Sequence, residues 1–423
     1  MLKIHRFFLS KTVLIVLFLG AGILTFAQDY DLLIKNAHLI DPKNGIDQKM
    51  DVAIAAGKIA RVSEQIPENT AQKLIDASGL IITPGLIDMH AHLFWGTEPD
   101  AYISNSHASL PPDGFTFRTG VTTVVDAGSA GWRNFKTFKE QTIDHSKTRV
   151  FAYLNIVGPG MKGGAYEQNL GDMDPKLTAM VARKYADHIV GIKLAHYSGP
   201  EWDPLLRTVE AGNLSDLPVM IDFGGHTPHL SLERLLLEEL RPGDIFTHCY
   251  ANVRGRTAIV DENGKVRPYV WEAQQKGIVF DLGHGGGSFV FDQAIPALDQ
   301  GFLPNAISTD LHTGSMNAGM KSMLNVMSKL LNLGMSLQDV IATSTWYPAK
   351  YIHHEELGHL TEGAVADIAV LNLRKGDFGF ADVRGNKIKG SQKLECELTI
   401  LEGQVVYDLN GISMPEWQAG AGR

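Results

Sequence analysis

Two cysteines in 423 residues are too few for a disulfide framework. Cys249 and Cys396 stand far apart in the chain, and buried free thiols are the expected state of both. Positive charge is also short. There are 38 Lys and Arg against 47 Asp and Glu, a formal net charge of −9, and nothing suggests the basic face that nucleic-acid binding needs. No run of like charges forms a tail, no segment repeats, and no tract is of low complexity. Beyond residue 27 nothing approaches the roughly 20 apolar residues of a membrane span. What remains is an ordinary globular composition, 44% hydrophobic and 20% charged, long enough for a large core and a smaller accessory domain.

The first 27 residues stand apart. Lys3, Arg6 and Lys11 give a basic start, residues 13–26 are apolar, and Thr25-Phe26-Ala27 has the small-x-small form of a cleavage site. That order predicts a secretory signal peptide over 1–27, and the apolar stretch is too short to anchor the chain. The mature protein is expected to start near Gln28 and to be exported, with a bacterial periplasm as the expected compartment and no stable membrane span.

Short alternating strands follow in 31–35 and 51–62, with Gly57-Lys58 as a turn. A matching group lies in 366–372 and 398–407. These two ends, residues 28–82 and 356–423, are expected to form one small β-sandwich domain split by a large insertion. The insertion, 83–355, alternates strand and helix. Eight apolar runs lie at 80–87, 122–126, 150–156, 189–194, 218–222, 244–247, 278–282 and 306–309. Several are apolar throughout, as parallel strands covered on both faces are. Leu232, Leu235, Leu236 and Leu240 mark one helical stripe, and Ser336-Leu-Gln-Asp339 has the form of a capping box. Eight such units over about 250 residues predict an α/β fold, a (β/α)8 TIM barrel, whose active site lies at the C-terminal ends of its strands.

Chemistry-bearing side chains gather at those ends. Pro84-Gly-Leu-Ile-Asp-Met-His90-Ala-His92 closes the first run, and residues two apart on an extended segment share a face. Lys193 lies in run four, His226 follows run five, His248 ends run six and Asp310 ends run eight. One histidine beside an apolar run is usually structural. Six suitable residues at the C-terminal ends of barrel runs make a two-metal hydrolase site the better reading.

This constellation resembles the amidohydrolase superfamily over nearly the whole mature chain. The resemblance implies that His90, His92 and Asp310 bind the more buried of two divalent ions, Zn2+ by default, and that His226 and His248 bind the more exposed one. Lys193, carboxylated by CO2 to N6-carboxylysine, would bridge both together with a hydroxide. The chemistry agrees with those roles. Imidazole and carboxylate are good zinc ligands, an ammonium would repel two cations, and a carbamate anion reverses that charge. Asp310 is then the catalytic residue, taking a proton during attack and returning it to the leaving group.

The strings Val121-Thr-Thr-Val-Val-Asp-Ala-Gly-Ser-Ala-Gly131, Asp244-Ile-Phe-Thr-His-Cys249, Gly283-His-Gly-Gly-Gly-Ser-Phe289 and Ile307-Ser-Thr-Asp-Leu-His312 are similar to the amidohydrolase/deacetylase, dihydroorotase-like branch. That branch implies a deacetylase acting on O-acetyl 2-hydroxy acids or N-acyl compounds. The alternatives are a cyclic amidase or lactonase and, in another class, a non-catalytic exported binding protein. Dihydroorotases usually carry His-x-His-x-Arg, where Phe94 stands here. In the deacetylase branch an Arg often follows the bridging lysine by two positions, where Ala195 stands. Asn155 and His284 are further substrate-binding candidates, evenly balanced against a structural role. For His312, Trp95 and Trp132 structure is the favoured reading. The expected partner is a small-molecule substrate, with no nucleic acid and with a homo-oligomer left open.

Overall fold

The computed structural model describes residues 28–96, 105–222 and 229–417. Residues 1–27, where a signal peptide is expected, and His226 lie outside the described residues. Seven parallel strands follow one another in sheet order: Leu86–Ala91, Val121–Gly131, Arg149–Asn155, Ile189–Leu194, Val219–Ile221, Ile245–Phe246 and Val279–Phe280. Val121–Gly131 is buried at every position, because helices cover the outside of the sheet while its inner side chains fill the barrel.

The helices begin where local chemistry stops their free N–H groups. Asp174 accepts from the backbone N–H of Lys176 and Leu177 at the start of Pro175–Lys184, with proline in the first turn. Ser336 accepts from Asp339 N–H at the start of Leu337–Ala342, and its hydroxyl donates to the Asp339 carboxylate. That differs from a reciprocal capping box, in which the acid takes the backbone N–H of the cap. Leu232, Leu235, Leu236 and Leu240 are all buried in the main core.

Two of the eight expected runs behave differently from the rest. Run 80–87 divides between sheets. Ile81–Pro84 pairs with Tyr30–Asp41 and Ile368–Ala381 in the smaller sheet, and the barrel starts only at Leu86–Ala91. The change comes at Gly85, whose N–H donates to Asp367 O at 2.8 Å. An apolar run unbroken across two sheets carries no mark of that division. Run 306–309 makes no regular ladder. It closes the ring through isolated parallel bridges, Asp281 with Ala306 and Ala91 with Leu311. Its carbonyls still accept from the seventh segment, Ala306 O from Leu282 N–H at 3.0 Å and Thr309 O from Gly285 N–H at 2.9 Å, but Thr309 gives its own N–H and hydroxyl to Asp88, and Ser308 Oγ donates to Asp281 at 2.6 Å.

The chain ends build the second, mixed sheet. Its order is Gln404–Asp408, Lys387–Leu401, Ile368–Ala381, Ile81–Pro84, Tyr30–Asp41, Ile46–Ala55 and Lys58–Ser63, with Ala71–Asp76 also pairing with Tyr30–Asp41. It encloses its own core of Ile34, Val52, Ile54, Ile368, Val370, Leu398 and Ile400. The protein is a (β/α)8 barrel carrying a β-sandwich made from both ends. Cys249 and Cys396 are free and buried, and burial pushes both thiols up. Among the described residues no helix is long and apolar enough to cross a membrane.

Candidate active site

A cavity of about 180 Å³ opens at the C-terminal ends of the barrel strands, with His90, His92, Lys193, His196, Asp222, His248, Asp310 and His312 in its wall. They come from five strand ends: His90 and His92 share the first, Lys193 and His196 the fourth, Asp310 and His312 the eighth segment, while Asp222 and His248 follow the fifth and sixth. Donor atoms of His90, His92 and Asp310 all lie within 4.8 Å of one another.

The imidazoles are oriented from behind. His90 Nδ1 meets Thr247 Oγ1 at 2.9 Å and Asp281 Oδ2 at 3.2 Å. Thr247 gives its own hydroxyl proton to Asp281 at 2.7 Å, so the His90 proton sits on Nδ1 and Nε2 keeps a free lone pair. The latter stands 3.7 Å from Asp310 Oδ1. His248 Nδ1 lies 2.6 Å from Gly283 O; a carbonyl only accepts, so here too Nε2 is the bare nitrogen. His92 Nδ1 meets Ser129 Oγ at 3.1 Å, while its Nε2 stands 2.9 Å from Asp310 Oδ1. Hydrogen-bonded backing of this kind fixes the tautomer a metal-binding histidine needs.

Charge follows the same logic. Burial, then the neighbouring Lys193, His248 and His92, pushes His90 well below the ordinary histidine range and keeps it neutral. Burial likewise lowers His248. Burial raises Asp310, but His92, His248 and His312 outweigh it and hold the carboxyl below its usual value. Asp281, farther inside, is pushed up by burial to about 6 despite the hydroxyls of Ser308 and Thr247.

Lys193 is the outlier of the group. It is 1% exposed, and its Nζ has no hydrogen-bond partner among the described residues. Burial drives its ammonium down, against the pull of Asp222 and Asp310. An unpaired buried ammonium is among the most expensive groups a core can hold. Gly128 lets it in: at φ +89, with the Lys193 side chain 2.7–2.8 Å from where a Cβ would sit, no other residue fits. Backbone strain gathers here as well. His196, His248 and Asp310 all take positive φ, at 55°, 59° and 50°, a pattern that clusters at functional sites.

Not every candidate points into the cavity. Asn155 donates to Gly128 O at 3.0 Å and accepts from Val157 N–H at 2.9 Å, so both ends of its amide hold backbone beside Lys193. His284 is fully buried. Its Nδ1 meets Gly285 O at 3.0 Å, its Nε2 meets Lys329 Nζ at 2.5 Å, and its ring stacks on Phe289. Phe94 packs against Phe138 in the core, and Trp132 donates to Asp172 O at 3.2 Å. His312 does line the cavity. Asp222, Arg256 and Lys329 carried no expectation from sequence. Asp222 could have been found, since it ends the fifth run by the same rule that picks out His248. Arg256 sits in a loop with no periodic signal, and Lys329 reads as one more helix-face lysine.

Fold and site together define a metal-dependent hydrolase built on a (β/α)8 barrel. The sequence profile of the amidohydrolase family matches residues 291–406. A deacetylase of Agrobacterium fabrum is 32% identical over 86% of this chain and 88% of its own length, and one of Enterococcus faecalis is 30% identical over 90% and 100%. Among solved structures, an adenine deaminase superposes with TM-score 0.80 at 29% identity, covering 90% of this chain and all of that one. A dihydroorotase superposes with TM-score 0.78 at 29% identity, covering 89% and 99%. The chain belongs to the amidohydrolase superfamily, whose members generally use a binuclear metal site.

Proposed function

We propose that this chain is a binuclear hydrolase of small acylated compounds, a deacetylase acting on O-acetyl 2-hydroxy acids or N-acyl compounds. The observation that carries the reading is the buried Lys193 amine, without a hydrogen-bond partner among the described residues, in the same cavity wall as His90, His92, His248 and Asp310. As an ammonium it is destabilised there; as a neutral amine it could take up CO2, losing a proton to become a carbamate, and that anion would be a ligand for divalent ions. His90, His92 and Asp310 would hold one ion, with His226 and His248 holding the other; zinc suits this nitrogen and oxygen set. Bound divalent ions supply acidified water and Lewis-acid polarisation of the acyl carbonyl.

The chain's own residues do the rest. Thr247, Asp281 and Gly283 O keep His90 and His248 in one tautomer. The Asp310 carboxylate, ionised and held 2.9 Å from His92, takes the proton of the attacking water and passes it to the leaving alkoxide or amine. The similarity to deacetylases supports an acyl substrate, and burial of Phe94 in the core supports it against a dihydroorotase. Residues 1–27 support export, to a bacterial periplasm.

Metal analysis and turnover test the proposal together. The full chain should hold about two ions and hydrolyse acetylated 2-hydroxy acids or N-acetyl amino acids in preference to dihydroorotate, lactones or adenine. Lys193→Ala should lose both metal and activity, with partial return on adding a short-chain acid. Efficient dihydroorotate hydrolysis, or full metal loading of Lys193→Ala without added acid, would overturn it.

A further inference from the structure

A second cavity of about 430 Å³ joins the first at its mouth. The two share His196, Asp222, His248, Asp310 and His312, so a molecule filling both would run from the reacting centre outward. Arg256 lies in the outer wall, which Gly286, Gly287 and Ser288 also line. Its side chain is only 8% exposed. Nη2 donates to Asp222 Oδ1, but Nε meets no acceptor among the described residues.

Placement and shortfall of partners belong together. Burying a guanidinium is expensive unless its donors are matched, and one carboxylate oxygen does not match five N–H groups. Asp222 is itself shared: its other oxygen stands 3.5 Å from His196 Nε2 and 3.7 Å from His248 Nε2. Its contact with Nη2 therefore aims the guanidinium without saturating it. Among the described residues lining the two cavities, Arg256 and Lys193 are the Arg and Lys present, and Lys193 belongs to the reacting centre. The positions where a carboxylate-reading arginine was expected hold Phe94 and Ala195, both buried and neutral.

We infer that Arg256, aimed by Asp222, binds the carboxylate of the substrate, and that the substrate is an acylated small acid with its carboxylate toward the cavity mouth and its acyl carbon beside Asp310. This rests on the acyl-hydrolase reading above. A fork of guanidinium donors on a carboxylate gives both strength and direction. The Gly286–Gly287 wall leaves the rest of the acid room for varied side chains.

The test compares an O-acetyl 2-hydroxy acid with its primary amide, using metal-loaded full-length chain. Wild type should prefer the acid. In Arg256→Met the ratio of kcat/KM for acid over amide should fall by about 10–100-fold, the range of one charge-assisted contact, mainly through KM, with Arg256→Lys in between. Equal loss on acid and amide, or no wild-type preference for the acid, would overturn the assignment. No turnover of either compound by wild type would instead sink the acyl-hydrolase reading. The free 2-hydroxy acid, titrated calorimetrically, then still decides the subsite: tighter binding to wild type than to Arg256→Met upholds it, and equal binding removes it.

Discussion

Asp310 carries two demands on one carboxylate, to stay ionised among imidazoles and to move a proton. Its positive φ and its contact with His92 hold it where both are met. Asp310→Asn keeps the shape but not the basicity, so kcat should fall about 10²–10⁴-fold, the usual worth of a positioned general base, while metal content measured by elemental analysis falls much less. His196 gives a pH signature. Burial lowers it, but the hydrogen bond to Glu167 and the charges of Asp222 and Glu167 win, lifting it from 6.5 to about 9. A folded-state value above the unfolded one stabilises fully below about pH 6.5, and that gain disappears as pH rises through 9. The melting-temperature gap between wild type and His196→Gln should therefore be widest near pH 6 and closed by about pH 10; a gap independent of pH would mean that His196 acts through packing.

Helix Met323–Asn332 sends one residue into the joint between barrel and sandwich. Lys329 Nζ lies 3.0 Å from Gly319 O, 2.6 Å from Ala381 O and 2.5 Å from His284 Nε2. Gly319 follows the eighth barrel segment, Ala381 ends a sandwich strand and His284 precedes the glycines beside Asp310. Burial pulls the ammonium down to about 7. Lys329→Met strands two carbonyls and an imidazole in the core, so chemical denaturation should register a loss of about 2–3 kcal/mol, given about 1 kcal/mol or more for each unmet group. At this scale the sequence was readable where one run made one strand. It was unreadable at Gly85, where one run serves two sheets, and at 306–309, where Thr309 gives its backbone N–H to the Asp88 carboxylate rather than to a neighbouring strand. His90, His92, Lys193, His248 and Asp310 were legible because strand ends mark them. Arg256 was not, because a loop has no period to betray it.

Over the whole molecule, the N-terminal 27 residues are expected to be absent from the mature form. Intact-mass measurement on protein from its native host should give a chain starting near Gln28, and a cytoplasmic protein retaining Met1 would end the export proposal. The split sandwich was legible from its two groups of alternating strands. Its joining point was not, since residue pairing at such distance leaves no local trace.

That pairing has a kinetic consequence. Ile82 lies opposite Val370 and Pro84 opposite Ile368, with the entire barrel threaded between them. The smaller sheet therefore cannot close until nearly the last strand of the chain is available, and contacts so remote in sequence are slow to form. Until then Ile81–Pro84 is missing one neighbour, and its apolar edge is exposed to aggregation. A chain with this connectivity completes its smaller sheet only after every strand of its barrel has been made.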